Sequence, residues 1–246
     1  MMESNAILHT RPTKTIPLTV WQASVSNGYS LLPAKAVNDR GVRYLSTEDI
    51  KDLWRGSGRK VKDPINDNWL NMQYVCRNKM GMRYAMHVME DPKNIVMAHV
   101  IPINIPMNDN VLMKNKYNEQ AETGRTYHKR GALVSSICVF EHREEDGGVQ
   151  EHFYIHLICN GPMNAQGKPW DEKTNGVEQG GRILAELVEA TALLNGVNVR
   201  LTPASDCGEP GVCKLKPKCA THVWRRNGYR SISKQSSVMI KELVHR

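Results

Sequence analysis

Two histidines four residues apart, His152 and His156, stand in an apolar run between Val149 and Cys159, with Glu151 beside them. Read as a β-strand, the run puts Gln150, His152, Tyr154 and His156 on one face and Phe153, Ile155 and Leu157 on the other. Imidazole titrates near neutrality, so either histidine can take a proton from an attacking amine. Glu151, or the earlier Glu141, can do so through a bridging water. The same spacing also fits two histidines on a partly exposed sheet face. A metal pair made by His152 and His156 is disfavoured, because nothing nearby in sequence supplies a third ligand.

A second candidate follows. Gly176-Val177-Glu178-Gln179-Gly180-Gly181-Arg182 opens an amphipathic helix in which Ile183, Leu184, Leu187, Val188, Thr191 and Leu194 recur at helical spacing. Adjacent glycines let a ligand approach the backbone, and the unpaired N–H groups of a first helical turn favour phosphate. Asn175 and Glu178 have the spacing of a capping box. The competing reading is that Gly180 and Gly181 only allow tight packing of helix on strand. A third candidate is Cys207, Cys213, Cys219 and His222, four soft or borderline ligands in a short stretch rich in glycine and proline. They fit either a structural Cys3His zinc site or a chance cluster of reduced cysteines.

The elements that must position these residues follow from the pattern around them. Ala132 to Phe140 reads as a strand, and Asp146-Gly147-Gly148 turns it into the histidine-bearing strand as an antiparallel hairpin. The helix stops at Asn195-Gly196, and Val197, Val199 and Leu201 alternate as a further strand. Cys219 to Gly228 reads as a short helix, followed by an apolar strand at Val238 to Ile240. Upstream, Ser46 to Trp54 is a capped helix, Asn68 to Met80 a second helix, and Ile95 to Ile101 a strand ended by Pro102. Together these predict an α+β protein with a mixed, mostly antiparallel sheet flanked by helices.

The central and C-terminal units resemble the GNAT superfamily of acyl-CoA-dependent N-acetyltransferases. There a strand leads to a Gly-rich loop and helix that hold the CoA pyrophosphate. A strand, a helix ending in an aromatic–x–x–x–Gly–aromatic phrase and a closing strand come next. Gly181-Arg182-Ile183-Leu184 and Trp224-Arg225-Arg226-Asn227-Gly228-Tyr229 carry the resemblance, which spans roughly the last hundred residues. Three departures stand out. Gly176 and Gln179 replace an Arg or Gln and a Gly in the loop, the loop is long, and Trp224 stands where many members have a tyrosine acting as general acid. The resemblance implies acetyl-CoA as co-substrate, with Ile158, Cys159 and Asn160 bonding the pantetheine arm. Gln179, Gly180, Gly181, Arg182 and Ile183 would hold the pyrophosphate, and His152, His156 or Glu151 would assist deprotonation of an acceptor amine. That reading requires amides at Gly180 and Gly181 that no protein atom covers. Two alternatives share the fold: a Mom-type phage protein that modifies adenine in DNA, and a non-catalytic virion or complex component on a degenerate scaffold.

Composition bounds the rest. Over 246 residues, 40% hydrophobic and 24% charged content suits a globular chain of one domain, residues 1–246. Within it, 1–44 reads as an irregular extension or first strand, 106–130 as an insertion loop, and 203–219 as a Cys-containing insertion. Six cysteines are too sparse for a disulfide scaffold. No apolar run is long enough to span a bilayer and no signal peptide opens the chain, so an intracellular, cytoplasmic protein without membrane contact is expected. The net charge is +8, and from Arg200 onward ten Lys and Arg stand against three acids. A basic C-terminal third suits an anionic partner, either CoA phosphates or nucleic acid.

Overall fold

The computed structural model describes residues 24–26, 28–55, 61–66, 69–72, 79–103, 131–144, 151–160, 180–203, 220–233 and 236–244. A small hairpin, β1 (Ser24–Ser26) and β2 (Tyr29–Leu31), leads through α1 (Ala34–Asn38) to β3 (Val42–Tyr44) and α2 (Thr47–Arg55). After β4 (Trp69–Met72) and α3 (Lys79–Met89) come three long strands, β5 (Ile95–Ile103), β6 (Gly131–Glu144) and β7 (Glu151–Asn160). Then follow α4 (Gly180–Leu194), β8 (Asn198–Leu201), α5 (Ala220–Arg226), β9 (Arg230–Ser231) and β10 (Met239–Lys241).

The main sheet runs β3-β5-β6-β7-β8-β10-β9, with β4 lying against β6 beyond the end of β7. β4 with β6 and β7 with β8 are parallel, and the other pairs are antiparallel. The expected α+β architecture, a mostly antiparallel sheet with helices on its faces, is therefore present.

Each face carries its own core. On one, Phe140, Phe153 and Ile155 pack against Leu184, Leu187 and Val188 of α4. On the other, Val96, Val134 and Val139 pack against Ile50 and Leu53 of α2 and against Val88 and Met89 of α3. Burying each such side chain contributes about 1.5–3 kcal/mol. Local signals placed several boundaries. Ser46 caps α2, its hydroxyl accepting the Asp49 N–H at 3.1 Å. Gly196 and Gly228 end α4 and α5 in the left-handed region, at φ 66° and 87°.

One element is corrected. Asn68 to Met80 does not form the predicted helix; Trp69–Met72 is a strand and the helix starts at Lys79. Tertiary pairing overrides the helical spacing, because β4 lies parallel to Gly131–Val134 on an edge of β6 that β7, ending opposite Ser136, leaves unpaired. Similarly, β5 continues through Pro102, which faces Ala132 in register; β3 pairs only Met97 to His99 on the other side. The insertions expected at 106–130 and 203–219 lie outside the described residues, apart from Pro203. No helix among the described residues is long and apolar enough to cross a membrane.

Candidate active site

The site is organised by a β-bulge. Val139 faces Leu157 but Phe140 faces Ile155, so His156 is the extra residue of β7. The predicted alternation therefore holds only up to Ile155. Beyond the bulge Leu157 and Cys159 join the core under α2 and α3, whereas Ile158 joins the core under α4. Leu157 thus lies on the face opposite Phe153, a correction to the simple period-two reading. The bulge also coincides with the end of the β7–β8 ladder. Pairing runs from His152 opposite Asn198 to Ile155 opposite Leu201 and stops there. Past Ile155, the strip His156–Asn160 has no strand partner on the β8 side among the described residues.

At this end of the ladder the polar side chains converge. His156 Nε2 lies 2.9 Å from Glu141 Oε1, and the side chains are 12% and 9% exposed. Arg143 Nε donates to the same oxygen. The Arg143 guanidinium stands over the Tyr154 ring, 4.0 Å from its centroid, and that ring packs edge-on against His156 at 5.2 Å. The Tyr154 hydroxyl reaches Thr202 Oγ1 at 2.8 Å, pinning β7 to the residue after β8. Burial lowers the His156 pKa below its usual value; the Glu141 carboxylate opposes that shift, and Arg143 adds to it. The imidazole is thus neutral near pH 7 and tied through Nε2, which leaves Nδ1 to accept a proton.

The other sequence candidates sit elsewhere. Glu151 and His152 begin β7, roughly 13–16 Å from His156 at strand rise. His152 is buried and meets Tyr154 edge-on, and Glu151 lies 3.6 Å from His142. Cys159 is disulfide-bonded, whereas Cys138 is free and buried. Gln179, Cys207, Cys213 and Cys219 lie outside the described residues. His222 is placed on α5, with its Nε2 buried and unpartnered among the described residues. No group of metal-ligating side chains occurs among the described residues.

The glycine pair behaves differently from expectation. A helix does begin at Gly180, but both glycines are buried and the Gly181 N–H is already taken, donating to Asn160 Oδ1 at 2.9 Å. The same oxygen accepts the Ser136 hydroxyl at 2.8 Å. Asn160, at the end of β7, therefore caps α4 from across the sheet. A Cβ on Gly180 would fall 2.7 Å from both His99 Nδ1 and Ser136 Oγ; on Gly181 it would fall 2.6 Å from Asn160 Oδ1. Close packing of helix on strand thus explains both glycines, and the requirement of uncovered amides at this turn is not met: both residues are buried and the Gly181 N–H is taken, so any phosphate contact falls to other amides. Beneath the helix start, His99 is buried with Nδ1 2.6 Å from Ser135 Oγ. Burial, aided by Arg40 and Arg43, pushes its pKa down to about 4. Arg182 is engaged by Glu186 at 3.0 Å.

Gly180→Ala is accordingly expected to destabilise by about 1–3 kcal/mol through overpacking against buried groups. Chemical denaturation measures it, and an unchanged midpoint would show that the helix start has room to spare.

Trp224 and Tyr229 form an edge-to-face pair at 5.0 Å. The Tyr229 hydroxyl donates to Glu189 at 3.1 Å, and burial raises its pKa well above the usual phenol value. Lys241 completes this cluster, 2.6 Å from Glu189. These groups stitch α4 to the last strands. The basic C-terminal third surfaces as Arg225, Arg226 and Arg230, the last paired with Glu242.

The helix between β7 and β8, and α5 and the closing strand after β8, follow the order of elements that the sequence resemblance implies. No family model and no curated protein matches the chain. Solved structures do match. AtaTR bound with AcCoA aligns at 10% identity and a TM-score of 0.40, over 81% of this chain and 90% of that one. The aminoglycoside 6'-N-acetyltransferase from Enterococcus faecium aligns at 10% and 0.36, over 83% and 98%. The ribosomal-protein-alanine N-acetyltransferase from Brucella melitensis biovar Abortus 2308 aligns at 10% and 0.29, over 65% and 76%. Likenesses of this size leave the chemistry to be argued from the chain's own residues.

Proposed function

We propose that this chain binds acetyl-CoA along the unpaired strip of β7 beyond the end of β8 and transfers the acetyl group to an amine. The observation that carries the reading is the bulge at His156, which lies where the β7–β8 ladder stops and where a buried carboxylate holds an imidazole. The open edge of Ile158 to Asn160 would bond the pantetheine amides as an added strand does. Asn160 Oδ1 is occupied, so its backbone is the contact available. With the Gly181 amide engaged, the phosphates would fall to the amides of Arg182 and Ile183, with Arg182 adding charge.

In the transfer, the amine nitrogen attacks the thioester carbonyl carbon. The new C–N bond forms as the C–S bond breaks, the electron pair leaves on sulfur, and the amine proton passes to His156 Nδ1. Glu141 holds the ring and stabilises the imidazolium that results. A thiol titrates near 8.5, so its thiolate departs without a dedicated acid. That removes the objection raised by Trp224 and by the engaged Tyr229. Titration calorimetry with acetyl-CoA is expected to show one site per chain with micromolar to millimolar affinity. No heat at millimolar ligand would remove the reading.

A further inference from the structure

Resting on that reading, we propose that the acceptor is an amine bearing an anionic group, a carboxylate or phosphate, and that Arg143 receives the anion. Arg143 is held at two points: Nε donates to Glu141 and the guanidinium plane lies over Tyr154. Its two terminal nitrogens make no hydrogen bond among the described residues, and the side chain is 42% exposed. A guanidinium in this state presents a fixed pair of donors, the geometry that matches a carboxylate or phosphate edge. Most exposed arginines lose rotamer freedom on binding an anion; this one is already ordered, so the loss is small.

The position is as informative as the geometry. Arg143 Nε and His156 Nε2 share the oxygen Glu141 Oε1, so the open fork and the proton-accepting imidazole stand side by side on one face. An acceptor that anchors its anion on Arg143 brings a nearby amine against His156. Among the described residues the acids facing this spot are few. Glu141 is spent on Arg143 and His156, and Asp91 reaches His156 through its charge alone. Glu151 is directed to His142. Tyr154 and Thr202 are bonded to each other, which leaves them as walls of the site. Among the described residues, a plain cationic amine would meet Arg143 with no carboxylate free to offset the repulsion.

The test measures CoA release from saturating acetyl-CoA with glycine, β-alanine, 4-aminobutyrate and phosphoethanolamine. Each is set against its neutral counterpart, the carboxamides of the first three and ethanolamine. At least one charged acceptor is expected to exceed its counterpart by roughly 10- to 100-fold in kcat/KM, mostly through KM. The phosphoethanolamine arm distinguishes phosphate from carboxylate. Arg143→Gln is expected to bring the ratio close to one, and Arg143→Lys to give an intermediate value, because it keeps the charge without the fork. Thermal unfolding of both variants checks that the fold is intact. Equal rates on charged and neutral acceptors, a neutral preference, or a ratio unchanged in Arg143→Gln would overturn the proposal. Turnover of none of these amines by a chain that binds acetyl-CoA in the calorimeter would overturn it while leaving the cleft reading in place. Absence of acetyl-CoA binding would remove that reading, and this proposal with it.

Discussion

Replacing His156 with glutamine is expected to lower acetyl transfer by about 10²–10⁴-fold, the usual contribution of a positioned general base. Glutamine keeps a hydrogen-bond donor toward Glu141 but offers no basic nitrogen, so the loss reports the proton transfer and not the packing. Acetyl-CoA binding should persist, because in the proposed reading the imidazole serves the acceptor amine and the donor is held by the backbone of Ile158 to Asn160; the expected split is therefore a fall in kcat with little change in affinity for the donor. The pH profile carries a second signature. Burial holds the His156 pKa below 6.5, so transfer should be level above that value and fall as the imidazole is protonated below it. Glu141→Gln removes the group that opposes the shift, so the acid limb should move to still lower pH while the plateau drops. A profile indifferent to Glu141, or a His156→Gln enzyme with near-normal kcat, would show that the base is elsewhere.

Asp63→Ala is the substitution expected to cost the fold most, about 3–5 kcal/mol, because it leaves the Arg43 charge buried without a partner. The two side chains are 0% and 6% exposed and meet twice, Nε to Oδ1 at 2.7 Å and Nη2 to Oδ2 at 3.2 Å. Arg43 also donates to the carbonyls of Asn38 and Val42, so it joins α1, β3 and the segment before β4. For a chain of this size the loss corresponds to a melting temperature lower by roughly 6–20 °C. An apolar double replacement, Arg43→Met with Asp63→Leu, should recover much of it, since neither charge then needs desolvation. Differential scanning calorimetry of the two variants decides the matter. A single variant that melts with the wild type would mean that water reaches Arg43.

Much of the fold was legible because it depends on neighbours along the chain. The helix of residues 180–194, its stop at Asn195-Gly196, the antiparallel pairing of the strands on either side of the 145–150 segment and the strand at Val197 to Leu201 each carry their own periodicity or flanking turn residues, and each is present. The segment 68–80 was misread because its spacing suits a helix, while the decisive influence is an unpaired edge of β6, a partner some sixty residues away. The Glu141–His156 pair was half visible. Both residues stand out as titratable groups on adjacent strands, yet hairpin register alone sets Glu141 opposite Tyr154. Only the extra residue at the bulge brings His156 onto it.

By itself, the sequence determined the order and type of most elements, the residues able to move a proton and the two glycines at the helix start, since these follow from side-chain chemistry and local backbone preference. Tertiary structure decided which of those residues meet. At a one-residue bulge His156, and not His152 or Glu151, meets Glu141, and the closeness of α4 to β5, β6 and β7 gave the glycines to packing and the Gly181 amide to Asn160. Such outcomes rest on contacts a few ångströms long between residues far apart in the chain, and no local pattern encodes them.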